Sequence, residues 1–228
     1  DQLYRYAERI ITDYQEMEQA MHQKRETLRI GSTVTISNIL LPSLIRSYQQ
    51  LFPEIRLEVI VNNGGYLQQA LTDGRLDIAL IEDSIHLQDL QAEEFASDQL
   101  VLLVPPSHPL AAKHTACIKD LQGLPFLNRD SGSAVREYTD HILKDNDVQV
   151  DMIWQSTSTR AIVNAVKEGL GITILPYRMC TQDIEQGHVI PVTLKDVSLV
   201  RHYYAVTHRQ KIMTGALLQW IRLLQKEK

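Results

Sequence analysis

The sequence predicts an α/β fold of two units joined by two crossover strands and preceded by one long helix. Three observations carry that expectation. Short apolar, β-branched runs alternate with amphipathic helical stretches, which is the pattern of parallel strand–helix–strand units. The alternation occurs twice, and two strand-like runs at 99–104 and 199–207 bracket its second occurrence. Residues 1–27 break the alternation: they contain neither Gly nor Pro and are rich in good helix formers.

In that first stretch Leu3, Ala7, Ile10, Tyr14, Met17 and Met21 are spaced four, three, four, three and four residues apart. This is an a/d heptad seam, the pattern of a coiled coil, and these six residues are expected to join two copies of the chain. A helix of this length reaches roughly 40 Å at about 1.5 Å per residue. The alternative is a helix whose apolar stripe packs on its own domain.

From Leu28 onward the first unit reads as a strand ending at Ile30, a helix over 36–50, a strand over 56–61, a short helix over 66–72 and a strand over 76–81. Pro42 sits in the first turns of its helix, where proline costs least. Phe52-Pro53 ends that helix, and Gly74 marks the end of the next. The order strand–helix–strand–helix–strand implies a parallel sheet.

The second unit follows the turn Pro105-Pro106-Ser107-His108-Pro109. It reads as strands over 125–128, 148–155 and 172–176 with helices over 133–144 and 159–168 between them. Gly169-Leu170-Gly171 follows a helix and precedes a strand, so it is a helix cap and not a dinucleotide fingerprint. A helix near 177–185, strands at 188–193 and 199–207, and an amphipathic helix over 210–226 complete the chain. Chain that leaves one unit and later returns to it makes two crossovers, and two crossovers make a hinge.

Composition narrows the function. With 44% hydrophobic and 22% charged residues the chain matches an ordinary globular protein, which excludes a disordered segment. The apolar run Leu100-Val101-Leu102-Leu103-Val104 stops at Pro105-Pro106, far short of the ~20 residues a membrane span needs. A formal net charge of −5 argues against wrapping nucleic acid, so any contact with DNA is expected through another segment. Cys117 and Cys180 are too few for a disulfide framework or a four-ligand zinc site, and are expected to be buried free thiols in a reducing cytoplasm.

Three hydroxyl-rich turns point to one place. They are Ser32-Thr33-Val34-Thr35 in the first unit, and Ser131-Gly132-Ser133 and Ser156-Thr157-Ser158-Thr159 in the second. Each joins a strand's carboxyl end to a helix beginning, where open α/β sheets bind ligands. Helix beginnings carry unpaired N–H groups and partial positive charge, and Ser and Thr there either cap the helix or hold a ligand oxygen. Glu82-Asp83 ends a further strand on the same side. Any single turn reads first as a plain helix cap. Three of them, split across two hinged units, predict a cleft for a small acid or polar metabolite.

The stretches "LRIGSTVTISNILLPSLIRSYQQLFPEIRLEV", "LTDGRLDIALIED", "LVLLVPPSHPLA" and "AVKEGLGITILP", in this order and spacing, resemble the LysR-type bacterial transcriptional regulators. The resemblance spans essentially the whole chain and covers the linker helix and the effector-binding regulatory domain. It implies a type II periplasmic-binding-protein-like fold of two Rossmann-like subdomains. The linker helix would occupy 1–27, subdomain I 28–104 and 204–228, and subdomain II 105–203. It further implies a small-molecule effector in the cleft, a cytoplasmic homodimer or homotetramer, and DNA contact through an N-terminal winged helix-turn-helix that this sequence does not contain.

By the same resemblance the effector positions fall on Ser32, Thr33, Val34, Thr35 and Ile36, on Glu82, on Ser131, Gly132 and Ser133, and on Thr157, Ser158 and Thr159. Ile36 stands where some members place a polar side chain. Arg136 and Arg160 follow the two later turns, and their first reading is as solvated surface arginines. No catalytic residue, metal or cofactor is expected: Arg129-Asp130-Ser131-Gly132-Ser133 is not a hydrolase elbow, and the histidines show no ligand spacing. Two other classes stay open at this level. A free-standing solute-binding protein of the same fold would be exported and monomeric. An enzyme on this fold would need a titratable group in the cleft, for which Glu82 and Asp83 are the candidates.

Overall fold

The computed structural model describes residue 11 and residues 26–82 and 88–227. The heptad positions Leu3, Ala7, Ile10, Tyr14, Met17 and Met21, together with Asp83 and His86, lie outside the described residues.

The first unit is built from β1 (Thr27–Ser32), α1 (Val34–Ile39), α2 (Leu41–Leu51), β2 (Arg56–Val61), α3 (Gly64–Thr72) and β3 (Ile78–Glu82). β1 pairs in parallel with both β2 and β3, as the alternating pattern requires. The helix expected over 36–50 is two helices, broken at Leu40. Pro42 has no N–H to give the carbonyl four residues back, and its ring crowds that carbonyl, so the helix restarts at Leu41 with Pro42 in its first turn. α2 turns Leu41, Leu44 and Tyr48 inward. Tyr48 donates to the Ala216 carbonyl at 2.8 Å and meets Trp220 edge-on at 5.3 Å between ring centres.

β4 (Leu90–Val104) is far longer than the strand expected at 99–104. Its first half, Leu-Gln-Ala-Glu-Glu, lacks β-branched residues and gives no strand signal of its own. Antiparallel pairing with β10 (Val200–His208) holds it extended, an instance of tertiary context overriding propensity. Between Leu90 and Gln99 β4 pairs with β10; from Leu100 to Val104 it pairs with β8 (Thr173–Pro176) and β9 (Ile190–Leu194). The Leu100 N–H donates to Leu199 O at 2.7 Å, so the chain crosses between the units at Gln99/Leu100 and Leu199/Val200. The sheet order β2-β1-β3-β10-β4-β9-β5, where β5 is Thr115–Ala116 and β8 also pairs with β4, runs through both units.

The second unit adds β5 (Thr115–Ala116), β6 (Pro125–Arg129), α4 (Ala134–Asp145), β7 (Asp151–Ser156), α5 (Thr159–Lys167) and α6 (Tyr177–Glu185). β6 and β7 are parallel, and a parallel bridge between Phe126 and Ile172 ties them to β8. α5 ends as expected: Gly169 takes φ +77° and donates to Val166 O, which closes the last turn. The final helix, α7 (Gly215–Leu224), starts later than the expected 210, because Thr214 caps it and residues 209–214 form a turn and loop.

Apolar clusters cover both faces of the first sheet and both faces of the second. Cys180 is buried as expected, whereas Cys117 is exposed because it precedes a short 3-10 turn (Ile118–Leu121) at the surface. Among the described residues no helix is long and apolar enough to cross a membrane, and no group of His, Cys, Asp or Glu could hold a metal ion.

Candidate functional site

β1, β2 and β3 run in parallel, so their carboxyl ends reach one edge of the sheet. Facing them are the carboxyl ends of β6 and β7, also parallel to each other. Between the two sets lies a cleft of about 280 Å³. β1 delivers Thr33, Val34 and Thr35; β2 delivers Val61, Asn62, Asn63 and Gly64; β3 ends in Glu82. The other wall is Arg129 and Asp130 from β6, then Gly132, Ser133 and Ala134 at the start of α4, with Thr157 after β7. Gly132 takes φ +84°, which lets the Ser133 N–H turn back to Asp130 O at 3.2 Å. The walls come close: a Cβ built on Gly132 would lie 3.9 Å from the Asn63 side-chain nitrogen.

The helix caps divide into two kinds. Asn63, Ser158 and Thr214 each accept a hydrogen bond from the first turn of their own helix. Thr33 and Ser133 do not, although both stand at the N-cap position and both line the cleft. Thr33 is 5% exposed and its Oγ1 has no partner among the described residues. A buried hydroxyl left unpaired is costly, and so are the N–H groups of a helix's first turn. One small oxygen-bearing molecule in the cleft would satisfy both.

Two buried charged groups flank this place. Arg129 is 4% exposed, and it donates through Nε to Ser156 O at 3.2 Å, through Nη1 to Thr159 Oγ1 at 3.1 Å and through Nη2 to Asp130 Oδ1 at 3.4 Å. Glu82 is 2% exposed, and neither carboxylate oxygen has a hydrogen-bond partner among the described residues. Arg201 on β10 lies behind it, 4.0 Å from Nη1 to Oε1, while its Nη2 donates to Asp98 on β4 at 3.1 Å. Burial, with the charge of Asp98 adding to it, holds the Tyr203 hydroxyl above its ordinary range, so it stays protonated beside this cluster.

Of the residues expected from sequence, Thr33, Val34, Thr35, Glu82, Gly132, Ser133 and Thr157 line the cleft. Ser32, Ile36, Ser131, Ser158 and Thr159 do not. Ser32 is wholly buried and its hydroxyl donates to Thr33 O at 3.2 Å. Ile36 is buried in the first unit's core, Ser131 is exposed, Ser158 caps α5, and Thr159 positions Arg129. Arg136 and Arg160 pair with Asp140 and Asp183. Sequence reasoning missed Arg129 and Asp130, and also Asn62 and Asn63. The Asn pair had a usable signal, a polar turn at a strand's carboxyl end; Arg129 had none, since its burial follows from packing against β7 and α5.

Comparison with known proteins agrees with this architecture. The HTH-type transcriptional regulator YeiE of Escherichia coli K12 is 30% identical over 219 residues, covering 96% of this chain and 74% of YeiE. The HTH-type regulator CysL of Bacillus subtilis is 28% identical over 205 residues, covering 88% of this chain and 69% of CysL. Among solved structures, the Synechocystis PCC6803 CcmR regulatory domain in complex with 2-PG superposes with a TM-score of 0.81 at 21% identity, covering 88% of this chain and 96% of that one. Residues 22–228 match the LysR substrate binding domain. The chain belongs to that family and is the ligand-sensing, non-catalytic regulatory domain of a LysR-type transcriptional regulator, with a type II periplasmic-binding-protein-like fold.

Proposed function

We propose that the effector is a small polar acid that bridges the beginnings of α1 and α4 across the cleft. Thr33, Val34 and Thr35 would hold it from one wall, and Ser133, Gly132 and Thr157 from the other. The observation that carries this reading is the pair of N-caps, Thr33 and Ser133, that leave their own helices uncapped while facing the same space. The Synechocystis domain of this fold holds 2-PG, a ligand found in a related frame. Bridging biases the angle between subdomains about the crossings at Gln99/Leu100 and Leu199/Val200. The size of that bias is limited by the ligand's difference in affinity for the open and closed forms. Residues 1–27 would transmit it as the dimerising linker to a DNA-binding domain upstream, in a homodimer or homotetramer.

Thr33→Val tests the reading, since it keeps volume and deletes the hydroxyl. Effector affinity should fall by roughly 0.5–1.5 kcal/mol, or up to ~3 kcal/mol if the ligand atom is charged, while the free protein loses nothing because the hydroxyl had no partner. Calorimetric titration against a panel of organic acids reads it; undiminished affinity removes Thr33 from the site.

A further inference from the structure

The cleft carries acidic as well as hydroxyl and basic groups: Glu82 on one wall, Arg129 and Asp130 on the other. Asp130 spends its charge on Arg129, which leaves Glu82 on the opposite wall as a carboxylate whose counter-charge, Arg201, is shared with Asp98. Arg201 does not neutralise it fully: that guanidinium is shared with Asp98, hydrogen-bonds Asp98 and makes no hydrogen bond to Glu82. Glu82 lines the cleft, and a carboxylate 2% exposed with no hydrogen-bond partner for either oxygen among the described residues is a strong acceptor. Register places it. Ser32 pairs with Leu80, so Glu82 stands two residues farther along the neighbouring strand, level with the start of α1. Strand spacings put it on the order of 5–7 Å from the Thr33 turn.

Resting on the cleft reading above, we infer that the effector is bifunctional: an acid whose anionic end sits at the Thr33 turn and whose second end donates a hydrogen bond to Glu82 from an ammonium or a hydroxyl. The two polar ends are separated by a short carbon spacer of about three or four bonds, as the strand spacings require. A plain acid of the same skeleton satisfies Thr33 and leaves Glu82 facing hydrocarbon. A dianion sets its second charge against Glu82. Both are rejected by the same carboxylate, which therefore sets the specificity of the site.

The test uses the purified chain and two matched sets, propionate with 3-hydroxypropionate and β-alanine, and butyrate with 4-hydroxybutyrate and 4-aminobutyrate, read by thermal shift and calorimetry. The substituted acids should bind at least tenfold tighter than their parents in at least one set, and Glu82→Leu should erase that advantage. Glu82→Gln keeps an acceptor without the charge: a preference that survives it identifies the hydroxyl, and one that it abolishes identifies the ammonium. Parents binding as tightly as substituted acids, or a ranking unchanged in Glu82→Leu whatever that variant's melting temperature, overturns the inference and makes Glu82 a structural partner of Arg201. No binding by any member overturns it as well. If acids bind but Thr33→Val is indifferent to all of them, the cleft reading itself fails.

Discussion

Asp77 illustrates how one side chain can tie distant parts of the first unit together. It accepts from the Arg29 backbone N–H at 2.7 Å and from the Arg29 guanidinium, and Lys211, from the turn before α7, reaches the same carboxylate. Burial alone would raise its pKa, but the bonds from Arg29 and Lys211 outweigh it and hold the carboxyl below its ordinary value. A carboxyl depressed in the folded state stabilises above its unfolded pKa of about 3.9, and that contribution is lost as pH falls through the lower folded value. Asp77→Asn should therefore cost about 1–3 kcal/mol at neutral pH, and the difference from wild type should shrink as pH falls below the ordinary carboxylate range. Urea unfolding of both proteins across pH 2.5–7 checks it, and a difference independent of pH would mean that Asp77 acts uncharged. The Cys180 thiol shows the opposite case: burial, with Asp183 and Asp98 near, pushes it up to about 12, so it stays protonated and unreactive.

At the scale of elements, the contact between α2 and α7 decides how the first sheet is covered. α2 gives one face to the sheet and one edge to α7, where the Tyr48 hydroxyl reaches into the first turn of the other helix. Tyr48→Phe keeps the ring packing against Phe52 and Trp220 and deletes one buried hydrogen bond. It should cost about 0.5–1.5 kcal/mol, read as a lower urea midpoint with an unchanged slope. The break at Leu40 belongs to the same scale. Two short helices can follow the twisted sheet where one straight helix of that length would not, and α1 is then free to aim its beginning at the cleft independently of α2.

For the whole molecule, the crossing between the units carries an ion cluster set into two paired strands. Arg201 on β10 faces Asp98 on β4 in register, at the last residues before the strands part to different units, and Arg201 is fully buried. Arg201→Met should strip from two buried carboxylates the only cation that pairs with them among the described residues, and cost about 3–5 kcal/mol. Arg201→Met with Asp98→Leu should recover much of it, and a double variant as unstable as the single one would show that the cost is steric. Bridging across the cleft makes a second molecular prediction. Ser133→Ala, on the opposite wall from Thr33, should weaken the same effector by roughly 0.5–1.5 kcal/mol. An effect of Thr33→Val alone would place the ligand on one subdomain and remove the bridge.

The sequence by itself determined the order of strands and helices, the doubling of the α/β unit, the existence of crossovers and the side of the sheet on which the hydroxyl turns gather. Those features are written in local terms: periodicity, Gly and Pro punctuation, and helix-cap chemistry each involve residues a few positions apart. It also gave Thr33, Gly132, Ser133 and Glu82 as cleft candidates, because a strand's carboxyl end is recognisable locally. Only the tertiary structure decided which hydroxyls are spent. Ser158 caps α5 and Thr159 orients Arg129, while Thr33 and Ser133 of the same chemical type leave their own helices uncapped and line the cleft. It likewise decided that Leu90 to Asp98 is strand, and that Arg129 and Arg201 are buried beside the cleft. The strand over 90–98 and the burial of the two arginines depend on partners supplied from across a unit or from more than a hundred residues away, and a hydrogen bond closed at that distance leaves no periodic mark on the chain.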